Sequence, residues 1–178
     1  MPASRTRQLV LFAVVAVVAL VLDRITKVWA VASIPASGAD FIPGLLGFRL
    51  VYNKGASFGM LEGATIFFLA ITLVICVAII VYLVRVKRHG MLEVAVLGAL
   101  FAGALGNAYD RLAYGQVTDF LNFEFIDFPV FNVADCCITV GVVLWILYVI
   151  FSPQSPFADE RKGAKAADGS ADDGAGER

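Results

Sequence analysis

The chain has 178 residues, of which 60% are hydrophobic and 16% charged, and its mean hydropathy is +0.82. A water-soluble domain needs more polar surface than this composition supplies, so the composition indicates residence in a lipid bilayer. The formal net charge of −1 favours neither a nucleic-acid partner nor a polyanionic substrate.

The first half of the chain holds two apolar segments that approach the roughly 20 residues a helix needs to cross a bilayer. Residues 9–22 form the first, and Asp23, Arg24 and Lys27 follow it, so its far end is polar. Residues 65–84 form the second and carry no charge. A cleavable signal peptide is the alternative for the N-terminus, and these three charges disfavour it.

Two further apolar segments follow. The third runs from residue 91 to about residue 109, with Glu93 as its only charge, and the fourth covers residues 136–151. The third also carries two stripes of small residues at helical spacing, at 95, 99 and 103 and at 98, 102 and 106. Small residues let helices approach closely, so this segment is predicted to pack tightly against its neighbours.

Basic residues set the predicted orientation. Arg5 and Arg7 precede the first span, and residues 85–89 between the second and third spans are also basic, which predicts that both termini are cytoplasmic. The connections at about 30–64 and 110–134 then face the other side. Within the first connection, apolar and polar residues alternate roughly over residues 41–52, which also contain turn-forming residues. This pattern predicts short strands or turns on the membrane surface.

Two domains follow from this pattern: a four-helix membrane domain over residues 1–151 and a tail over residues 152–178. The tail is rich in Ala, Gly, Asp and Ser, so it is predicted to be disordered and cytoplasmic. Three cysteines, Cys76, Cys136 and Cys137, have neither metal-ligand spacing nor a plausible disulfide framework, and we interpret them as apolar filler.

Ionisable groups at membrane depth are costly and often functional. Eight qualify here: Asp23, Arg24, Lys27, Glu93, Asp110, Arg111, Asp119 and Asp135. All but Glu93 are predicted near the outer face, together with Asn53, Asn107 and Asn132. The only histidine, His89, is on the predicted cytoplasmic side, which disfavours a histidine-dependent hydrolase. The acids are accompanied by amides and an arginine, so neither a metal nor another cofactor is predicted.

Carboxylate chemistry remains. Two aspartates in a partly apolar site can share one proton, so that one activates water and the other protonates the carbonyl under attack. Asp119 and Asp135 are the candidate pair. Asn132 can also cap the fourth helix and make Asp135 its third residue, and spacing favours cap and catalyst about equally. Asp110 and Arg111 are interpreted as an ion pair at a helix end, although spacing alone cannot select Asp119 over Asp110.

Five motifs occur in order along the chain. They are Leu-Asp-Arg-Ile-Thr-Lys at 22–27, Asn-Lys-Gly-Ala-Ser-Phe-Gly at 53–59, Gly-Ala-Leu-Gly-Asn-Ala-Tyr-Asp-Arg at 103–111, Val-Thr-Asp-Phe at 117–120 and Phe-Asn-Val-Ala-Asp at 131–135. Together they resemble the lipoprotein signal peptidase (signal peptidase II) family over residues 9–151. The departures are mild: Lys54, Ser57 and the Cys136-Cys137 pair replace residues more usual in the family.

The resemblance implies an all-α membrane protein of four transmembrane helices with a small extracytoplasmic β platform and a short surface helix. It implies an aspartic endopeptidase of the bacterial cytoplasmic (inner) membrane that cleaves prolipoproteins before a diacylglyceryl-modified cysteine, and that globomycin inhibits. The catalytic pair would be Asp119 and Asp135. The supporting residues would be Asn53, Gly55, Asn107, Asp110, Arg111 and Asn132, and Asp23 and Lys27 would form a structural polar cluster at the end of the first helix.

The expected partners are these precursors and membrane lipids, without nucleic acid, and the chain is expected to be monomeric. Two other classes remain open from the residues alone. A small transporter or channel subunit would use the same acids to relay protons or bind a cation, but it requires polar groups through the whole bilayer depth. A non-catalytic membrane scaffold would explain the small-residue stripes but not the polar motifs at one face.

Overall fold

A computed structural model describes residues 4–55, 63–86, 89–155 and 158 of the protein. Four helices occupy the predicted spans: α1 (Arg5–Ser33), α2 (Thr65–Arg85), α3 (Met91–Tyr114) and α4 (Val133–Phe151). Each is long and apolar enough to cross a membrane, which confirms the prediction of four spans. Three strands lie between them: β1 (Ala39–Ile42), β2 (Leu46–Asn53) and β3 (Val117–Phe123).

Helix α3 is the centre of the bundle. In the most apolar stretch of α3, 67% of the residues are buried, against 17% of the residues in the corresponding stretch of each other helix. Small residues make this possible: a methyl group on Gly98 would lie 2.9 Å from the Phe12 carbonyl oxygen of α1, and one on Gly103 would lie 2.5 Å from the Ala134 carbonyl oxygen of α4. The predicted close packing of this helix is confirmed.

Two helices extend further than hydropathy predicts. The polar cluster was expected at the end of the first helix, but α1 continues past Lys27 to Ser33. Asp23 and Lys27 are one turn apart and form an ion pair 3.0 Å long, so these charges are compatible with continued helix. Helix α3 continues to Tyr114 and ends where Gly115 adopts φ +70° and donates its N–H to the Arg111 carbonyl.

The three strands form one antiparallel sheet in the order β1-β2-β3. The strands predicted within residues 41–52 are therefore confirmed, and the second outer connection supplies the third. The predicted short surface helix has no counterpart in the described parts of the outer connections; it stays a prediction because residues 56–62 lie outside the described residues, as does most of the predicted tail.

A separate polar cluster lies at the opposite end of the bundle from the sheet. There the His89 ring nitrogen Nδ1 is 3.1 Å from Glu93 Oε2, and Gln8 of α1 donates to the His89 carbonyl. Between the two polar ends lies an apolar core of Ile79, Leu83, Val94, Leu97 and Leu100. Glu93 and His89 therefore belong to a different part of the molecule from the aspartates.

Candidate active site

Strand β3 and the start of α4 are held together by backbone hydrogen bonds around Phe131. Its carbonyl accepts from the N–H groups of Phe120 and Leu121, and its own N–H donates to the Leu121 carbonyl. The next residue, Asn132, is the N-cap of α4. This pairing brings a residue of β3, Asp119, next to the first turn of α4.

Asp119 is 2% exposed, and both of its carboxyl oxygens accept hydrogen bonds from amide side chains. Asn53, at the end of β2, donates to Oδ2 over 3.0 Å, and Asn132 donates to Oδ1 over 2.6 Å. These bonds fix the orientation of the carboxyl group. The sheet is thus the element that positions Asp119.

Asp135 is the third residue of α4 and completes a capping box. The Asn132 side chain accepts from the Asp135 N–H over 3.0 Å, while Asp135 Oδ2 accepts from the Asn132 N–H over 3.1 Å. The predicted cap is confirmed. The other oxygen, Oδ1, accepts from Asn107 of α3 over 2.7 Å, so capping and a defined carboxylate orientation coexist.

Asn132 contacts both aspartates. Its backbone N–H bonds Asp135, and its side-chain nitrogen bonds Asp119 and also Asn107 Oδ1, 3.1 Å away. A single buried residue therefore fixes the two carboxylates relative to each other.

The surroundings also raise the pKa of Asp119, to about 6. Burial is the largest cause because it disfavours the charged form, and the negative charge of Asp135 is the next. Hydrogen bonds from Asn53 and Asn132 oppose the shift without cancelling it. Asp119 is therefore protonated more readily than an ordinary aspartate, whose pKa is about 4.

An ion-pair network lies behind these aspartates. The fully buried Lys27 ammonium is 3.0 Å from Asp23 Oδ2, 3.0 Å from Asp110 Oδ2 and 2.9 Å from Asn107 Oδ1. Asp23 Oδ1 accepts from the Ala134 N–H at the start of α4. The network thus joins α1, α3 and α4, and through Lys27 it holds the Asn107 side chain that bonds Asp135.

The predicted ion pair between Asp110 and Arg111 is wrong. Adjacent helical residues point in directions about 100° apart. Asp110 bonds Arg24 (2.5 Å) and Lys27 instead, while Arg111 donates to the carbonyl oxygens of Asn107 and Gly55. The Arg111 guanidinium also lies over the Phe68 ring of α2, 4.6 Å from its centroid. Arg111 therefore connects α2 and the end of β2 to α3.

Both aspartates line one cavity of about 420 Å³. Among the predicted site residues, Asn53, Gly55 and Arg111 line it as well. The others, Asn107, Asn132, Asp110, Asp23 and Lys27, lie behind this surface, in contact with the lining residues or with one another. The structure thus brings the whole predicted set together in two layers.

Sequence reasoning missed the apolar wall of the cavity. On one side it consists of Phe123, Phe128, Pro129, Val130 and Phe131, and on the other of Cys136, Thr139 and Val140. The second group follows Asp135 at helical spacing and could have been found from that periodicity. The first group belongs mainly to a connecting loop and carries no comparable signal. Cys136, interpreted as filler, in fact lines the cavity.

Comparisons with known proteins find related sequences and a related structure. The sequence profile of the family described as signal peptidase (SPase) II matches residues 15–151. The chain is similar to the lipoprotein signal peptidase of Symbiobacterium thermophilum, with 44% identity over 84% of this chain and 96% of that protein. It is also similar to that of Gloeobacter violaceus, with 38% identity over 86% of this chain and 90% of that protein.

A solved structure described as a bacterial membrane enzyme, obtained by the in meso method at 2.3 Å resolution, has a similar fold. Its TM-score is 0.73 at 32% identity, covering 81% of this chain and 89% of that chain. The four helices and the sheet therefore match a known membrane enzyme.

Proposed function

Because this chain belongs to the signal peptidase II family, a family of bacterial membrane peptidases that process prolipoproteins, we propose that it is an aspartic endopeptidase with Asp119 and Asp135 as its catalytic pair. The observation that carries the proposal is the meeting of the two carboxylates in one cavity, with Asn132 bonded to both.

In the proposed reaction, ionised Asp135 takes a proton from a water molecule that attacks the scissile carbonyl carbon. Protonated Asp119 donates its proton to the carbonyl oxygen, giving a neutral tetrahedral gem-diol. The nitrogen of the leaving amine then takes a proton from Asp135 as the C–N bond breaks. Asp119 regains its proton from a gem-diol hydroxyl, so the resting protonation states are restored.

The contacts of the two residues support this division of roles. Asp135 lies in the first turn of α4, where the helix dipole favours a negative charge. Asp119 lies outside that turn, and burial together with the Asp135 charge raises its pKa to about 6. Arg111 lines the same cavity and contributes a positive charge beside the reacting groups.

The proposed substrate is a prolipoprotein, cleaved before its diacylglyceryl-modified cysteine at the outer face of the cytoplasmic membrane. The cavity combines the polar aspartate end with a wall of aromatic and aliphatic side chains, which suits a peptide bond next to a lipid-bearing residue. Both termini would be cytoplasmic, and the chain would act as a monomer. Inhibition by globomycin is part of the same proposal.

A cleavage assay with matched precursors tests the proposal. Purified protein is given one prolipoprotein with and without the diacylglyceryl group on its cysteine. We expect release of the signal peptide from the modified precursor only, with the new N-terminus at the cysteine, and loss of that release with globomycin. Equal cleavage of both precursors, or cleavage elsewhere, would contradict the proposed specificity.

A further inference from the structure

A second cavity, about 480 Å³ in volume, lies between α1 and α3 and is called the α1–α3 groove here. It is lined by Leu20, Val21, Asp23, Arg24, Leu105, Gly106, Ala108, Tyr109 and Leu112. Val21 and Leu112 are exposed, so the groove opens to the outside of the bundle. Among the described residues, it has no lining residue in common with the candidate active-site cavity.

Arg24 closes the polar end of this groove. The same residue lines a neighbouring cavity of about 470 Å³, together with Tyr114, Gln116 and Thr118 near the sheet. Its side chain is 32% exposed, unlike the fully buried Lys27. One cationic group therefore lies between an apolar groove along the helices and a more polar cavity at their end.

The anionic groups around Arg24 face inward. Asp110 Oδ1 accepts from Arg24, while its Oδ2 accepts from Lys27 and the Thr118 N–H. Asp23 uses both of its oxygens on Lys27 and the Ala134 N–H. Both carboxylates are buried, so the charge offered to the outside at this point is the arginine's.

Within the described residues, Arg24 donates one hydrogen bond, from NH1 to Asp110. Its guanidinium carbon is 5.3 Å from the Tyr109 ring centroid and 5.9 Å from that of Tyr114. Both tyrosines are largely exposed. Tyrosine is a typical residue of the membrane–water boundary, which is the depth of lipid phosphates.

We propose that the α1–α3 groove and Arg24 form a binding site for a membrane phospholipid. One acyl chain lies along the groove towards Leu20 and Leu105, and the phosphate accepts hydrogen bonds from the exposed part of the Arg24 guanidinium. A neutral diacylglyceryl group would fill the groove but would offer no phosphate to the exposed part of the Arg24 guanidinium, whose NH1 is bonded to Asp110. The site is therefore distinct from the proposed substrate site in both place and chemistry.

Native mass spectrometry of the full chain in detergent tests this proposal. The probes are phosphatidylglycerol, diacylglycerol with the same acyl chains, and soluble glycerol 3-phosphate. We expect one phosphatidylglycerol retained per chain, about tenfold weaker retention of diacylglycerol, and none of glycerol 3-phosphate. Equal retention of the two lipids, or retention of the soluble phosphate, would overturn it.

Two variants locate the site. Val21→Trp should fill the groove from a residue outside the ion-pair network, and Arg24→Gln removes the cation. Each should reduce phosphatidylglycerol retention about tenfold. Leu22→Trp, on another face of α1, and Arg49→Ala, an exposed arginine of β2, should bind as the wild type does. If Val21→Trp retains as much lipid as Leu22→Trp, the groove is not the site. Peptidase assays on the same samples report on the proposed function separately.

Discussion

Asp119 and Asp110 differ in what their carboxylates contact. Asp110 is fully buried and bonds Arg24, Lys27 and the Thr118 N–H, whereas Asp119 lines the cavity and, among the described residues, accepts side-chain hydrogen bonds from two neutral amides. Two cations and a backbone N–H occupy the Asp110 carboxylate, whereas Asp119 belongs to the cavity lining. Asp119, and not Asp110, is therefore the residue that we propose as the acid.

Activity should therefore depend on pH through the aspartate pair. Because the pKa of Asp119 is raised to about 6, the proposed acid loses its proton as the pH rises through that value, and kcat/KM should fall, approaching about tenfold per pH unit. Asp40→Asn, at an exposed position of β1, should have the wild-type profile. A rate that keeps rising from pH 6 to pH 9 would contradict the assignment.

Asn132 orients both carboxylates, so its loss should affect turnover more than folding. Asn132→Ala removes the bond to Asp119 and half of the capping box, and we expect kcat to fall on the order of 100-fold, with about 1 kcal/mol lost from helix capping. Asn122→Ala, on β3 and outside the cavity lining, is the matched control. Cleavage kinetics measure the fall in kcat, and thermal unfolding measures the loss of stability. Near-normal turnover would show that Asn132 is only a cap.

At the scale of elements, the buried ion-pair network fixes α1 against α3 and α4. Lys27→Met would leave Asp23 and Asp110 buried without their shared cation, at a cost of about 3–5 kcal/mol. We expect a lower midpoint of thermal unfolding in detergent and less protein in membranes. Lys54→Met, at an exposed position, should change neither. An unchanged midpoint for Lys27→Met would show that the network is not needed for folding.

Close helix packing gives a second prediction at this scale. Gly98→Val would put a side chain within 2.9 Å of the Phe12 carbonyl oxygen, so α1 must move away from α3, at a cost of about 1–3 kcal/mol. Ala113→Val, at an exposed position of the same helix, controls for the lower helix propensity of valine. The two unfolding midpoints in one detergent make the comparison. Equal midpoints would mean that α1 can move away from α3 at this contact without loss of stability.

At the scale of the whole molecule, apolar length predicted the four spans because each helix must cover the bilayer thickness. Hydropathy could not predict where α1 and α3 end, since the Asp23–Lys27 pair and the Gly115 turn lie beyond the apolar stretches. The Asn132 cap could be predicted because its signal is local, three residues long. Helix caps and the number of membrane spans can thus be predicted from one sequence.

The candidate site depends on contacts between residues far apart in the chain, and these cannot be predicted from the spacing of residues in one sequence. Asp119 meets Asp135 only because Phe131 pairs with Leu121 and because Asn53, from another strand, reaches the same carboxylate. The five motifs singled out, through family resemblance and not through spacing, the residues that the structure brings together. Arg111 is an example: its sequence neighbour Asp110 instead forms ion pairs with Lys27 and Arg24 of another helix.

The most direct test of the catalytic pair is cleavage by Asp119→Asn and Asp135→Asn in parallel, with Asp40→Asn as the control. Each of the first two variants should insert and fold in membranes, yet cleave a diacylglyceryl-modified prolipoprotein at least about 1,000-fold more slowly than the wild type, since neither the acid nor the base can be replaced by an amide. The control should cleave at the wild-type rate. Cleavage near the wild-type rate by either Asp119→Asn or Asp135→Asn would remove that residue from the mechanism and contradict the account.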